Sequence, residues 1–183
     1  MAKTSSVMLP LGTIAPQFSL LDVCSGSRVS LNPNSQSSVI MFICNHCPYV
    51  KFINKSIVNL ANDYIHKGVA FYAINSNDSD SYPEDSAENM KKVAIELAYP
   101  FPYLLDITQD VAKAYQAACT PDFYVFDHQQ SLIYRGQLDD ARPSNHMISN
   151  GESIRSALDC LLMGKEVTVI QKPSMGCNIK WKT

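Results

Sequence analysis

The segment that most constrains the fold joins an apolar run, residues 39–43, to the sequence CNHCP at Cys44–Pro48. The run is short, continuous and partly β-branched, which is typical of a strand buried on both faces of a sheet. After it, apolar residues recur at helical spacing from Val50 to Tyr64, and Gly68 is well placed to end that helix. The sequence therefore predicts a strand–turn–helix unit with two cysteines at the turn.

The segments around this unit alternate between strand-like and helix-like patterns, which is typical of an α/β fold with a central mixed sheet flanked by helices. A chain of 183 residues suffices for one domain, expected over residues 1–183. An N-terminal β-hairpin extension is expected within residues 1–35, and the C-terminal tail, residues 165–183, has no clear periodicity. Residues 75–83 are polar and turn-rich, which predicts a solvated loop that could flank the active site. Further helices are predicted near residues 84–97, 109–115 and 152–163, and further strands near 69–74, 103–105, 122–126 and 132–134.

Charge and hydropathy exclude two classes of partner. The net charge is −2, the pI is about 6.0, and the basic residues form no run that could follow a phosphate backbone, so nucleic-acid binding is not expected. No apolar run reaches the roughly 20 residues of a membrane helix, and the N-terminus lacks the apolar stretch of a secretory signal. We therefore expect a cytoplasmic protein. Six cysteines in a reducing compartment indicate catalysis, redox sensing or metal binding rather than a disulfide framework.

Pro48 identifies the more reactive of the two cysteines at the turn. Proline is favoured in the first turn of a helix, which assigns Cys47 to the helix N-cap and Cys44 to the end of the strand. The unpaired N–H groups and the helix dipole at that position stabilise a thiolate and can lower a cysteine pKa to about 3.5–7.5. Cys47 is therefore the predicted nucleophile, and His46 beside it could lower the pKa further when protonated.

Five segments together carry a family resemblance: Ala15–Phe18, Ile43–Pro48, Leu105–Gln109, Cys119–Phe123 and Gly176–Trp181. Through them the chain resembles the thioredoxin superfamily, and within it the peroxiredoxin-like redoxins of the alkyl hydroperoxide reductase/thiol-specific antioxidant group. The resemblance implies a thioredoxin-like fold in which Thr120-Pro121 forms a cis-proline turn facing the active cysteine and offers backbone to the substrate. Frequency alone would leave Pro121 trans, since only about 5–6% of X–Pro bonds are cis.

The sequence lacks both the dithiol arrangement that is typical of thioredoxins and the peroxidatic cysteine position that is typical of peroxiredoxins. Cys47 aligns with the first cysteine of a thioredoxin-type Cys-x-x-Cys, and Val50 occupies the second position. A peroxiredoxin keeps its peroxidatic cysteine at that second position, so neither the usual peroxidase set nor the usual dithiol is present. A disulfide partner for Cys47 must come from Cys44, Cys119, Cys177 or another molecule. By resemblance, a tail cysteine such as Cys177 can reach the active thiol, and Cys119 is close to the site if the turn at Pro121 faces it.

The main hypothesis is a thiol–disulfide oxidoreductase or thiol-dependent antioxidant that uses Cys47 on a disulfide or peroxide, without a cofactor. A mixed disulfide or sulfenic acid would form, and cellular thiols or a reductase would regenerate the thiols. By resemblance, such a protein can also form a homodimer through edge strands.

A second hypothesis assigns the cysteines to binding rather than catalysis. Cys44, His46 and Cys47, joined by Cys119 or Cys177, offer soft ligands for zinc or copper(I). No second paired motif accompanies them and the four histidines are dispersed, so no metal site is predicted. A non-catalytic module that recognises a partner protein, or a retained fold with an inert thiol, completes the alternatives.

Overall fold

Two sheets and four α-helices are formed by residues 3–182, the part of the chain that this computed structural model describes. The helices are α1 (Pro48–Tyr64), α2 (Ala87–Glu96), α3 (Asp110–Ala114) and α4 (Glu152–Leu162). The strands are β1 (Lys3–Ser5), β2 (Ser19–Asp22), β3 (Arg28–Ser30), β4 (Ser37–Phe42), β5 (Val69–Asn75), β6 (Tyr103–Leu105), β7 (Cys119–Thr120), β8 (Asp122–Asp127), β9 (Leu132–Gly136) and β10 (Met175–Asn178).

The larger sheet has seven strands in the order β3-β2-β6-β5-β4-β8-β9. Strand β4 lies near its centre, parallel to β5 and antiparallel to β8, so that Val39 is paired with Phe71 on one side and Val125 on the other. All six residues of β4 are buried, as expected for an apolar run between two partners and two layers of helices. The expected mixed sheet of a thioredoxin-like α/β fold is confirmed. The N-terminal hairpin, β2 and β3, extends this sheet because β2 pairs with β6.

The core is divided between the two faces of this sheet. Successive strand residues point to opposite faces, so Val39 and Met41 pack with the buried residues of α1, α2 and α4, whereas Ile40 and Phe42 pack with those of α3. Both groups contain fully buried aromatic side chains, each of which buries a large apolar area. The sheet and its helices thus fix the position of the turn between β4 and α1.

Helix α1 begins as the sequence predicts. Cys47 is its N-cap residue, with extended backbone angles, and Pro48 follows at the first helical position. The apolar face from Val50 to Tyr64 is buried against the sheet. A short 3₁₀ turn follows the helix and ends at Gly68, whose φ of 83° lies in the left-handed region that glycine tolerates.

The C-terminal tail forms part of a second sheet, although its sequence shows no periodicity. Strand β10 lies between β1 and β7 in the order β1-β10-β7, antiparallel to both. Cys177 is paired with Thr120 on one side and Lys3 on the other. The strand has only four residues and contains a glycine, so its short alternation of Met175 and Cys177 does not identify a strand by itself. The tail is therefore docked on the two-residue strand that precedes Pro121.

The polar segment after β5 differs from the prediction of a solvated loop. Its first four residues, 75–78, are buried, and so is Asp85 in the following 3₁₀ turn. Helix α2 begins at Ala87, three residues later than predicted, because Ser86 is its N-cap and accepts a hydrogen bond from the Asn89 amide. The segment lies against the turn between β4 and α1 and contributes polar side chains to it.

Candidate active site

Cys47 lies at the junction of α1, β7 and β10. Its side chain is completely buried, and its Sγ lies 3.2 Å from the carbonyl oxygen of Thr120. The peptide bond between Thr120 and Pro121 is cis, as the resemblance implies. The predicted nucleophile and the predicted cis-proline turn therefore face each other.

Cys177 is the cysteine that the fold brings against Cys47. The two sulfur atoms are 3.1 Å apart although the residues are 130 positions apart in sequence, and all six cysteines are free thiols. A disulfide has an S–S distance of about 2.05 Å, so a bond between them requires an approach of about 1 Å. Gly176 permits this contact, since a Cβ atom on it would lie 1.9 Å from the Thr120 carbonyl oxygen.

Cys44 completes a row of three sulfurs around the cis-proline turn. Its Sγ lies 3.2 Å from Thr120 Oγ1, so Thr120 contacts Cys44 with its side chain and Cys47 with its carbonyl. The pKa of Cys47 is lowered to about 5, first by the hydrogen bond from the Cys44 thiol and further by those from the Cys177 thiol and the Val50 amide, against the effect of burial. Cys47, the central sulfur of the row, is therefore the most acidic of the three thiols.

The two flanking cysteines remain protonated. The hydrogen bond to Cys47, burial and the charge of Asp85 raise the pKa of Cys44 far above the ordinary value. Burial and the hydrogen bond to Cys47 raise the pKa of Cys177 to about 12. Of the three thiols, Cys47 therefore loses its proton first, and Cys177 would have to lose its proton before it could react.

Cys119 does not join this row. It precedes Thr120 in β7, and neighbouring residues of a strand point to opposite faces. Its sulfur lies 3.8 Å from the carbonyl oxygen of Pro121, and burial raises the pKa of its thiol well above the ordinary value. Among the predicted partner cysteines, Cys177 and Cys44 are therefore better placed than Cys119.

His46 is held by a residue that sequence reasoning did not identify. Its Nδ1 lies 2.6 Å from Oδ2 of Asp85, and its ring stacks on Tyr82 with 5.5 Å between ring centroids. Asp85 is fully buried and lies 39 residues away, in a 3₁₀ turn that directly follows the polar segment and stands where the start of a helix was predicted. A usable signal was present in the position of this segment, since loops that follow the carboxyl ends of adjacent parallel strands meet at one edge of the sheet.

Cys44, His46 and Asp85 are the side chains best placed to bind a metal in residues 3–182. One ligand atom from each lies within 4.8 Å of the other two. However, each oxygen of Asp85 already accepts two N–H hydrogen bonds, and the His46 nitrogen that contacts the carboxylate is one of those donors. A cation there would have to break these bonds and displace the Cys44 proton. The contacts therefore suit a proton-bearing network better than a metal.

Comparison with protein families places this site within a known group. The family model described as "AhpC/TSA family" matches residues 11–135, which include the CNHCP segment and the cis-proline turn but not the tail. No helix among residues 3–182 has the length and apolarity that crossing a bilayer requires. A comparison with curated proteins found no match.

Solved structures extend the similarity over the whole chain. An uncharacterized conserved protein from Geobacillus kaustophilus is 61% identical, with a TM-score of 0.98 over 100% of this chain and 97% of that one. A hypothetical protein from Sinorhizobium meliloti is 44% identical, with a TM-score of 0.96 over 98% and 99% of the two chains. At the level of fold alone, a putative thiol:disulfide interchange protein from Chlorobium tepidum is 16% identical, with a TM-score of 0.66 over 85% and 99% of the chains.

Proposed function

The chain belongs to the AhpC/TSA family, and on that premise we propose that it is a thiol-dependent oxidoreductase in which Cys47 is the nucleophile and Cys177 the resolving cysteine. The observation that carries the proposal is the 3.1 Å separation of these two sulfurs. The low pKa of Cys47, about 5, supports it because the thiolate is the reactive form.

The reaction proceeds in two steps when the substrate is a disulfide. The Cys47 thiolate attacks one sulfur, forms a mixed disulfide and releases the other substrate sulfur as a thiolate, which takes up a proton. Cys177 then loses its proton and attacks Cys47 Sγ, which forms the Cys47–Cys177 disulfide and releases the second substrate thiol. Two electrons pass from the protein to the substrate, and an external thiol reductant restores both cysteines.

A peroxide substrate uses the same two residues. The thiolate attacks one peroxide oxygen, breaks the O–O bond and becomes a sulfenic acid. The other oxygen leaves as hydroxide or alkoxide and takes up a proton from solvent to give water or an alcohol. Cys177 condenses with the sulfenic acid, and water leaves. Val50 occupies the position where a peroxiredoxin has its peroxidatic cysteine, so this reaction would rest on Cys47, at the N-cap of α1.

The other predicted residues have supporting roles in this proposal. Cys44 donates its thiol hydrogen bond to the Cys47 thiolate and is held by Thr120 Oγ1. Thr120, next to Pro121, pairs with Cys177 of β10. A peptide substrate could pair with the same edge of β7 once β10 has detached. Cys119 is assigned no catalytic role.

Access to Cys47 favours a small oxidant over a protein disulfide. The Cys47 side chain is 0% exposed and Cys177 is 4% exposed, so a bulky substrate cannot reach the pair while β10 is docked. A peroxide or a small disulfide requires a smaller opening. We propose a small oxidant as substrate, a cellular thiol or reductase as partner, and a reducing compartment such as the cytoplasm as location.

An oxidation map tests the proposal. Reduced, metal-stripped protein receives one equivalent of hydrogen peroxide or oxidised glutathione, free thiols are alkylated, and linked peptides are identified by mass spectrometry. We expect a Cys47–Cys177 disulfide in the wild type and in C119S, which removes a buried cysteine of the neighbouring strand, but not in C47S or C177S. A Cys47–Cys44 link in the wild type would transfer the resolving role to Cys44. Unreacted Cys47, together with stoichiometric zinc or copper in protein as purified, would favour the metal-binding module.

The oligomeric state stays a prediction. Strands β3 and β9 are the outer strands of the larger sheet within residues 3–182, and either could pair with a second copy. Analytical ultracentrifugation of the reduced and oxidised protein would measure whether a dimer forms and whether it depends on the thiols.

A further inference from the structure

The tail makes further contacts after β10. Lys180, two residues beyond the end of that strand, is buried, and its backbone is hydrogen-bonded through both its amide and its carbonyl group. Its amide donates to Asn77 Oδ1 at 2.9 Å. Its carbonyl oxygen accepts from the Asp78 amide and from Gln109 Nε2, both at 2.8 Å. The chain after β10 is therefore held by groups that lie outside β1 and β7.

Gln109 uses its whole side-chain amide in these contacts. Besides the bond to Lys180, its Nε2 donates to the Ser76 carbonyl oxygen at 2.7 Å, and its Oε1 accepts from the Lys182 amide at 2.8 Å. Gln109 is only 2% exposed, so a broken bond would leave a buried polar group without water as a replacement partner. The amide therefore joins the tail to the segment after β5 with two hydrogen bonds to the tail.

The backbone at Gln109 is left-handed, with φ of 64° and ψ of 12°. Residues other than glycine rarely adopt this conformation, and they keep it where the surrounding structure determines it. Glycine would relieve the backbone, but it would supply no amide to the tail. The residue at this position is therefore suited to the tail by its side chain and not by its backbone.

Asn77 connects the tail to the CNHCP turn. Its Oδ1 accepts from the Lys180 amide, and its Nδ2 donates to Asp85 Oδ2 at 2.8 Å. The other carboxylate oxygen of Asp85 accepts from the Asn45 backbone amide at 2.7 Å. Asn77 is 5% exposed and Asp85 is 0% exposed. Two buried side chains thus form a continuous hydrogen-bonded connection from the tail to the turn that carries Cys47.

We infer that Gln109 and Asn77 are positioning residues that form a second anchor of the tail and hold Cys177 against Cys47 for the resolving step. This inference rests on the proposed function. The pairing of β10 with β7 fixes the tail at the strand, and the two side-chain amides fix it beyond the strand. The amides act through the position of the tail, which carries Cys177.

The anchor matters most once Cys47 carries a substrate thiol. With β10 in place Cys47 is 0% exposed and its sulfur lies 3.1 Å from that of Cys177, so a glutathionyl group on Cys47 displaces the tail. The tail must return before Cys177 can give up its proton to solvent and attack Cys47 Sγ. That attack forms the Cys47–Cys177 disulfide and releases glutathione as a thiolate, which takes up a proton. The rate of this step depends on the fraction of molecules with a docked tail, which the anchor increases.

The variant Q109G isolates the side chain, because glycine suits the left-handed backbone at this position. Q116G is the matched control, since Gln116 lies just after the same helix, α3, with φ of 50°, and is exposed. Both variants replace a glutamine of left-handed backbone, but Q109G removes two hydrogen bonds to the tail. N77A is the second variant, in which Asp85 keeps three of its four hydrogen-bond partners.

The anchor is measured first in reduced protein, without a redox substrate. Hydrogen exchange by mass spectrometry follows peptides of β10 and, for comparison, of β3, an outer strand of the larger sheet. The loss of two buried hydrogen bonds should accelerate exchange in β10 of Q109G by about 5- to 150-fold, with β3 unchanged. Q116G should exchange like the wild type. Equal exchange in β10 of Q109G and Q116G would overturn the anchor.

The second readout follows the resolving step. Reduced protein is mixed with oxidised glutathione, quenched with acid at successive times and analysed by mass spectrometry for the glutathione adduct on Cys47 and for the Cys47–Cys177 disulfide. Q109G should accumulate the adduct and form the disulfide about 5- to 150-fold more slowly than Q116G, although the adduct forms at least as fast. N77A should change in the same direction, and C177S gives the adduct level without resolution. A Q109G protein that resolves at the Q116G rate would overturn the positioning role.

The two readouts separate the possible failures. If the wild type forms no Cys47–Cys177 disulfide, the proposed function fails, while hydrogen exchange still tests the anchor. If Q109G does not fold, as judged by its thermal unfolding, N77A tests the same anchor from the other side of the tail. Faster exchange in β10 with a wild-type resolving rate would show that Gln109 holds the tail without positioning Cys177, and the inference would be wrong.

Discussion

Replacing Gly176 with alanine should weaken the docking of β10 on β7 and move Cys177 away from Cys47. A Cβ atom at this position would lie 1.9 Å from the Thr120 carbonyl oxygen and 2.6 Å from its carbonyl carbon. Ordinary contacts begin at 3.4 Å, so the strand must move by about 1.5 Å. Neither neighbour can yield easily, because both atoms belong to the backbone of β7. The Cys47–Cys177 sulfur distance of 3.1 Å should increase accordingly.

The magnitude follows from two contributions. Overpacking of a closed contact costs about 1–3 kcal/mol, and a weakened hydrogen bond between β10 and β7 costs about 0.5–1.5 kcal/mol. A total of about 1.5–4.5 kcal/mol shifts the equilibrium between docked and undocked tail by roughly 10- to 1,600-fold, since 1.4 kcal/mol corresponds to tenfold. Cys47 is buried while β10 is docked, so its reaction with a bulky maleimide should accelerate by the same factor when opening limits access.

The assay follows maleimide labelling of Cys47 and, separately, formation of the Cys47–Cys177 disulfide after one equivalent of peroxide. G176A should label faster and form the disulfide more slowly than the wild type. G164A is a control for glycine replacement outside β10, because nothing lies within 4 Å of an added Cβ there. Its φ of 66° strains an alanine, so the thermal unfolding of both variants is measured beside the labelling. If G176A labels and cross-links at wild-type rates while G164A does the same, β10 does not control access and the reasoning is refuted.

Three further predictions use the same cysteine pair. The rate of Cys47 alkylation by iodoacetamide should follow the fraction of thiolate, with a pKa of about 5. The rate should be constant above that pH and fall about tenfold for each pH unit below it. A rate that still rises near pH 8 would contradict a thiolate at Cys47. Deleting residues 1–6 removes β1, which pairs with β10. Maleimide labelling of Cys47 should accelerate less than in G176A, since β7 still pairs with the tail. Unchanged labelling would show that β1 contributes nothing to docking. Oxidation to the Cys47–Cys177 disulfide closes a loop of about 130 residues and should stabilise the protein by roughly 5 kcal/mol, or about 10–20 °C in Tm; equal melting temperatures in calorimetry would contradict it.

The strand–turn–helix unit could be predicted because each of its signals is local. The apolar run identifies β4, Pro48 fixes the first turn of α1, and the spacing from Val50 to Tyr64 identifies the buried face. Each signal lies within a few residues of the element it specifies. The assignment of Cys47 to the helix N-cap follows from these signals, and the structure confirms that position.

The contacts that complete the site could not be derived in the same way. The pairing of Cys177 with Thr120 depends on the register of two strands of four and two residues, which are too short for a local pattern to specify. Asp85 reaches His46 from a turn that directly follows a polar segment, and its carboxylate accepts from Asn75 and Asn77 of that segment and from the amide of Asn45 in the turn before α1. Composition predicts solvation for such residues unless partners are present, and partners are a property of the fold.

In the proposed function, the position of Val50 accounts for a resolving cysteine in the tail. Val50 is buried in the core beneath α1, so its side chain contributes apolar packing, while its amide stabilises the Cys47 thiolate. Cys177 reaches Cys47 from β10 instead, on a strand that docks through backbone pairing. Docking of the tail and disulfide formation are therefore linked, because both need the same register between β10 and β7. An interaction that stabilises the docked position of β10 therefore also favours the Cys47–Cys177 disulfide. The disulfide in turn holds β10 against the cis-proline turn and keeps larger molecules away from Cys47.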